Sequence, residues 1–231
     1  MNDSAFYPSS FMVKEGFPFI IIPIVIALIF GFFQFWLVAA LFALLAGFMA
    51  YFFRDPQRTV PIGDGIIVSA ADGRVTRIDE DKNGKSVSVF LSPVDVHINR
   101  SPIAGKITKV EYIRGKKAPA TSNEASFTNE RNSLTIENER MSVVCTQIAG
   151  IVARRIVFWN KLGDELELGQ KFGMIKFSSR TDLLMPVGVE LMVKIGDRVV
   201  GGETIIARLV EANPASLASD SSPRAEVSAF Y

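Results

Sequence analysis

Residues 17–53 are almost unbroken in apolar character: Phe17 through Phe33, then Gln34, then Phe35 through Phe53. A single helix over that run would be about 55 Å long, against a hydrocarbon core of about 30 Å. The pattern therefore predicts two helical segments, broken near Gly31 and Gln34, with Pro23 inside the first. Each is short for a span, so a membrane hairpin that crosses twice and one that dips and returns both fit. A cleaved signal peptide does not fit, because the run is too long, starts too far into the chain and lacks a small-residue cleavage pattern. Lys14 precedes the run and Arg54 and Arg58 follow it, which places both flanks on the cytoplasmic face of the cell membrane.

After Phe52-Phe53-Arg54-Asp55-Pro56 the period changes. Short β-branched runs punctuated by Gly, Pro and Asp take over: Gly65–Val68, Arg74–Ile78, Ser86–Leu91, Lys106–Val110 and Leu134–Ile136. Such spacing predicts a mainly β sandwich or barrel. Gly163-Asp164-Glu165-Leu166-Glu167-Leu168-Gly169-Gln170 aligns with Gly196-Asp197-Arg198-Val199-Val200-Gly201-Gly202-Glu203, 33 residues on. Two such hairpins resemble the halves of a biotinyl or lipoyl carrier domain, so the expected architecture is a lipoyl-like barrel sandwich with an internal repeat. The chain divides into an N-terminal segment (1–16), the membrane hairpin (17–53), a β domain (54–211) and an Ala-, Ser- and Pro-rich tail (212–231) that reads as flexible. Gly115 to Asn132 reads as a long loop of the kind that often carries function.

With 25 basic and 24 acidic residues the formal net charge is +1, which leaves no electrostatic footprint for nucleic acid. The single cysteine, Cys145, lies in an apolar run and reads as a buried small hydrophobe. No Cys or His cluster has metal-ligand spacing. His97 is the one histidine and so the one side chain with an ordinary pKa near neutrality. Taken locally, His97 reads as structural, Asp72 in Ala71-Asp72-Gly73 as a turn residue, and Ser179 as an ordinary serine.

Six blocks taken together change that. Phe52-Phe53-Arg54-Asp55-Pro56, Ala71-Asp72-Gly73, Ser92-Pro93 through Asp95-Val96-His97, Asn129-Glu130-Arg131-Asn132, Gln147-Ile148-Ala149-Gly150 with Ala153-Arg154-Arg155-Ile156, and Phe172-Gly173-Met174-Ile175 through Ser179-Arg180-Thr181-Asp182 occur in this order. The chain thereby resembles the short form of the phosphatidylserine decarboxylases over roughly residues 50–210. The resemblance implies a proenzyme that cuts itself between Ser178 and Ser179. The Ser179 hydroxyl attacks the Ser178 carbonyl, amide becomes ester, and elimination leaves dehydroalanine, which hydrolyses to a pyruvoyl group and ammonia. A large N-terminal and a small C-terminal chain remain as a heterodimer. Asp72 and His97 are implied as the acid–base partners. The pyruvoyl carbonyl takes the phosphatidylserine amine as a Schiff base and acts as electron sink for loss of CO2, giving phosphatidylethanolamine in phospholipid biosynthesis without pyridoxal phosphate or metal. Apolar anchoring keeps such an enzyme at the bilayer that holds its substrate. Cations near Arg114, Lys116 and Lys117 could meet the lipid phosphate.

Two positions depart from the family pattern. Arg100 stands where some members carry a second histidine, so His97 serves alone. Ser178 stands where glycine is usual, and glycine permits backbone geometries costly to serine; bacterial histidine decarboxylases, also pyruvoyl enzymes, cut at a Ser-Ser bond. The competing readings are a non-processing membrane-tethered homologue acting as a lipid-binding scaffold, and a carrier-type adaptor, for which Lys194 lacks the flanking motif of a modified lysine.

Overall fold

The computed structural model describes residues 11–82, 84–115, 128–150, 155–177 and 179–210. A short 3-10 turn, Lys14–Gly16, leads into α1 (Phe17–Phe32) and α2 (Trp36–Phe52). The two helices break where the sequence predicts, with Gln34 in the left-handed region at φ 62°. Side chains from Ile20 to Leu28 on α1 face those from Ala43 to Ala50 on α2, and most of the large apolar side chains of the pair are exposed. With its leading turn, α1 is long and apolar enough to cross a membrane, while α2 is shorter.

Everything after the helices is β. The strands are β1 (Ile66–Val68), β2 (Gly73–Asp81), β3 (Gly84–Leu91), β4 (Ile98–Arg100), β5 (Gly105–Ile113), β6 (Arg131–Glu137) and β7 (Ser142–Ala149), then β8 (Arg155–Phe158), β9 (Glu165–Leu166), β10 (Lys171–Lys176), β11 (Ser179–Met185), β12 (Val189–Leu191), β13 (Arg198–Val199) and β14 (Ile205–Leu209). All five predicted runs are strands. Arg131 and Asn132, read from sequence as the end of a loop, instead start β6 and pair with β7, because Asn132 is buried against a polar partner there. Residues 116–127 of that loop, Ser178 and the tail from 212 lie outside the described residues.

The strands form an eight-stranded sheet in the order β13-β2-β3-β11-β7-β6-β5-β9 and two three-stranded sheets, β1-β14-β12 and β4-β10-β8. That order reads the same from both ends. An approximate twofold runs between β11 and β7, exchanging β2 with β5, β3 with β6, and β1-β14-β12 with β4-β10-β8. The repeat seen in the sequence is its signature: Gly163 and Gly196 have φ 91° and 98°, Gly169 and Gly202 φ 74° and 80°. The Gly163 amide donates to Ile107 and that of Gly196 to Val75, at 2.9 and 2.8 Å. The symmetry reaches further than the sequence repeat. Ser69 Oγ donates to the Ala71 carbonyl and Ser101 Oγ to that of Ile103, at 2.7 and 2.6 Å, so Ser69-Ala70-Ala71-Asp72-Gly73 and Ser101-Pro102-Ile103-Ala104-Gly105 are twin turns. Alternating inward residues of both halves, among them Val87, Val89, Leu91, Leu134, Ile136, Val143, Cys145 and Leu183, make one core. Cys145 is fully buried there and burial raises its thiol pKa, as a small core hydrophobe requires.

A buried ionic clamp ties the helices to the β domain. Asp55, three residues past α2, accepts from Arg100 of β4 at 3.0 Å and from Lys171 of β10, and its carboxylate has no solvent exposure. Arg100 also donates to the carbonyls of Gly169 and Pro56. Removing the carboxylate strands a buried guanidinium. Asp55→Ala is expected to cost about 3–5 kcal/mol, measured as unfolding of the detergent-solubilised protein in urea, whereas exposed Lys109→Ala, which breaks a surface pair with Glu111, should cost less than about 1 kcal/mol.

Candidate active site

The chain leaves β10 at Lys176 and re-enters the sheet at Ser179, turning a corner at Phe177. Phe177 has φ 66°, one of two non-glycine residues with positive φ among those described. A bulky side chain rarely takes that conformation, which costs on the order of 1–3 kcal/mol and persists only when its surroundings impose it. The surroundings are aromatic: the Phe177 ring stacks on Phe52 at 4.7 Å between centroids, and Phe52 lies against His97 at 4.3 Å. Phe19 and Phe53 close the group. Both ends of the helical pair, through Phe19 and Phe52, thus pack on the corner.

His97 is fully buried. Its Nδ1 lies 2.9 Å from the carbonyl oxygen of Asp95, an acceptor only, so Nδ1 carries the hydrogen and the neutral ring presents its lone pair at Nε2. Burial lowers the imidazole pKa to about 4, against the raising effect of the Asp95 carbonyl and carboxylate, with Arg54 adding to the lowering. The Asp95 carbonyl is itself fixed. Its carboxylate accepts from the Ser92 amide and hydroxyl and from Arg198, and its amide closes a turn onto the Ser92 carbonyl at 2.9 Å. Asp95 thereby orients the imidazole, and the Ser-x-x-Asp turn pattern is the sequence signal that marks it.

Ser179, also fully buried, opens β11 between Leu91 of β3 and Ala149 of β7. Two residues on, Thr181 Oγ1 accepts from Asn99 Nδ2 at 2.9 Å. Asn99 in turn accepts from Gln147, and Gln147 from Asn132, at 2.8 and 3.1 Å. This chain of buried amides spans β6, β7, β4 and β11 and fixes the strands that carry the site. Polar residues at inward positions of otherwise apolar strands are the signal for it in the sequence. Residues two apart on a strand share a face, so stepping back from Thr181 leads to Ser179 and from Asn99 to His97. Both steps approach the Phe177 corner, since the His97 carbonyl accepts from the Ile175 amide at 3.2 Å. Ser179 Oγ and His97 Nε2 are both buried without a hydrogen-bond partner among the described residues.

Asp72 sits apart from this pair. Its carboxylate accepts from Arg58 at 2.7 Å and from the Gly201 amide at 2.8 Å, with no bond to His97. Burial raises its carboxyl pKa, offset in part by Arg58 and the Gly201 amide. Asp72 precedes β2, which lies two strands from β11, about 10 Å across the sheet. Arg100 is committed to Asp55.

The arrangement offers a hydroxyl and a neutral imidazole with its lone pair free, both out of water, beside a strained peptide corner. That is the equipment of an intramolecular nucleophile and base. An unfolded imidazole protonates near pH 6.5 but the folded one only near pH 4. Between those values the unfolded chain binds the extra proton, so stability falls as pH falls, by about 3 kcal/mol from this residue. Urea unfolding from pH 7 to 4 should therefore steepen in the parent relative to His97→Gln by that amount, and equal pH slopes would contradict a buried neutral His97.

The sequence model of the family described as phosphatidylserine decarboxylase matches residues 45–207. Proteins named phosphatidylserine decarboxylase proenzyme are similar over nearly their whole length. That of Symbiobacterium thermophilum is 43% identical over 206 residues, covering 86% of this chain and 95% of the relative. That of Geotalea uraniireducens is 39% identical over 207 residues (86% and 96%), and that of Paraburkholderia xenovorans 40% over 210 (88% and 99%).

Proposed function

The chain belongs to the phosphatidylserine decarboxylase family, and we propose that it decarboxylates phosphatidylserine to phosphatidylethanolamine on a pyruvoyl group made from its own Ser179. The observation that carries the site assignment is the pair of buried, unpartnered atoms, Ser179 Oγ and His97 Nε2, at the corner between β10 and β11. His97 Nε2 takes the hydroxyl proton as Oγ attacks the Ser178 carbonyl carbon; the C–N bond gives way to a C–O ester bond and the proton passes to the departing amide nitrogen. The left-handed Phe177 on one side and the paired β11 on the other support this choice of bond.

The position fits a pyruvoyl group. Residue 179 opens a strand paired with Leu91 and Ala149 at its own position and with β3 and β7 beyond it, so its carbonyl side stays anchored through β11 when its side chain and amide nitrogen are converted. When formed, the group supplies a conjugated carbonyl that stabilises the electron pair left by departing CO2. His97 then holds a proton for the substrate carbon. Asp72, raised by burial and two strands away, serves as the second acid–base group across the site rather than as a partner bonded to the imidazole.

Cleavage leaves two chains that stay together. β11 is hydrogen-bonded along its length to β3 and β7 of the large chain, and β13 and β14 pair with β2 and β1. We read the curled, twofold sheet as the lipoyl-like barrel sandwich, which the palindromic strand order supports. We read the apolar pair as the membrane hairpin, with the β domain on the cytoplasmic face: its exposed apolar surface supports this. The carrier alternative is not favoured, because the Lys194 turn has a twin at Lys161, each amide bonded to an aspartate, so neither is a distinct tip.

Intact mass of the purified protein should give chains of 178 and 53 positions, the smaller opening on pyruvoyl, together with CO2 release from phosphatidylserine. Ser179→Ala should remain one chain and inactive, and His97→Gln should slow cleavage by about 10²–10⁴-fold. A Ser179→Ala protein that still splits would place the site elsewhere.

A further inference from the structure

A second feature lies beside the corner, on the flank away from Asp72. Tyr112 and Arg114 of the β5 end, Arg155 and Phe158 of β8, Lys176 of β10 and Glu15 before α1 line a cavity of about 760 Å³. Lys176 and Arg155 are direct partners across the β10–β8 ladder. Among the described residues, none of the three cations has a salt bridge. The one acid in the cavity, Glu15, accepts from the Trp159 indole at 2.7 Å, and Tyr112 donates to Glu130 outside it. Three cations against one carboxylate leave the cavity strongly positive in a chain whose net charge is only +1.

Its location identifies the anion. Lys176 lies over the Phe19 ring of α1 at 5.2 Å, and Glu15 immediately precedes that helix, so the cavity opens at the base of the apolar pair, where lipid headgroups lie if the pair inserts. Lys176 is also three residues from Ser179, at most about 10 Å along the chain. An anion held there is joined to the membrane on one side and within reach of residue 179 on the other. Arg forks and a lysine ammonium suit the oxygens of a phosphodiester.

We infer that this cavity is the headgroup subsite, in which Arg114, Arg155 and Lys176 hold the phosphodiester of the lipid while its amine reaches residue 179. The inference rests on the decarboxylase reading and assigns substrate recognition to residues outside the self-cleavage machinery. Arg114 comes from the region where the sequence suggested a phosphate contact; Arg155 and Lys176 are brought to it by the β8–β10 pairing.

The test uses processed protein in neutral detergent micelles carrying phosphatidylserine at low mole fraction, which keeps the surface charge density low. Arg155→Gln and Lys176→Gln should each raise KM roughly ten-fold or more, with kcat within about two-fold and cleavage into two chains unchanged, and Lys176→Arg should restore KM. Short-chain phosphatidylglycerol, which keeps the phosphodiester but lacks the amine, should inhibit the parent competitively and the Gln variants much less. Equal inhibition by inorganic phosphate at the same concentration would mark a free-phosphate site instead. Unchanged KM in both variants of an active enzyme overturns the subsite and leaves the decarboxylase reading standing. Lost binding to anionic vesicles with KM unchanged in neutral micelles also overturns it, making the cations a surface-docking patch. If the parent releases no CO2, the decarboxylase reading fails by itself, and co-sedimentation with phosphatidylglycerol vesicles, compared between parent and Gln variants, still decides the anion site.

Discussion

The site depends on keeping one hydroxyl and one imidazole nitrogen out of water without giving either a partner. Leaving a buried polar atom unsatisfied costs about 1–3 kcal/mol, and here two such atoms, Ser179 Oγ and His97 Nε2, lie near one corner. The surrounding structure holds them there. The Asp95 turn fixes one imidazole nitrogen so that the other must carry the lone pair. The Asn132–Gln147–Asn99–Thr181 chain satisfies every neighbouring buried amide, so rearrangement would break good hydrogen bonds to relieve poor ones.

The helices take part in this. Phe52 is the last residue of α2, yet its ring separates His97 from Phe177 and is almost fully buried. Asp55, three residues later, is held by β4 and β10, the strand that follows His97 and the strand that runs into Phe177. The apolar helical pair is therefore also the wall that desolvates the imidazole. Phe177, in its left-handed conformation, belongs to the same packing through its stacking on Phe52.

Much of this was legible in the sequence, and what was not has a physical reason. The break at Gln34, the five strand runs and the Gly-Asp repeat follow from local periodicity and turn chemistry, which the chain writes out residue by residue. His97, Ser179 and Asp72 were marked by motif order. Their mutual geometry was not, because strand register and side-chain hydrogen bonds depend on long-range pairing: nothing local says that Asp72 bonds to Arg58 and Gly201 rather than to His97, or that Arg100 is spent on Asp55. The polar Gly115–Asn132 stretch reads as a loop to its end, and the bond of Asn132 to Gln147, a long-range pairing, accounts for its buried strand position.

The twofold supplies an internal control for which polar residues the fold itself needs. β1 and β4 are twins, as are the turns that follow, and residues 32 apart occupy equivalent places. Asp72 corresponds to Ala104, His97 to Gly65, Asn99 to Ile67 and Arg100 to Val68. The turn that has Ala104 in place of Asp72 closes in the same way, and the strand that has Gly65, Ile67 and Val68 in place of His97, Asn99 and Arg100 makes the same pairing, with Arg100 N–H donating to the Ala70 carbonyl just as Val68 N–H donates to that of Pro102, both at 2.9 Å. The scaffold thus does not require a histidine, a buried asparagine or a turn aspartate at these places, and burying them is costly. The chain also crosses between the halves at Phe177–Ser179, after β10 completes one half and before β11 resumes the other. That link joins the two halves, while each half closes its own turns and the central strands β11 and β7 keep their partners across the sheet.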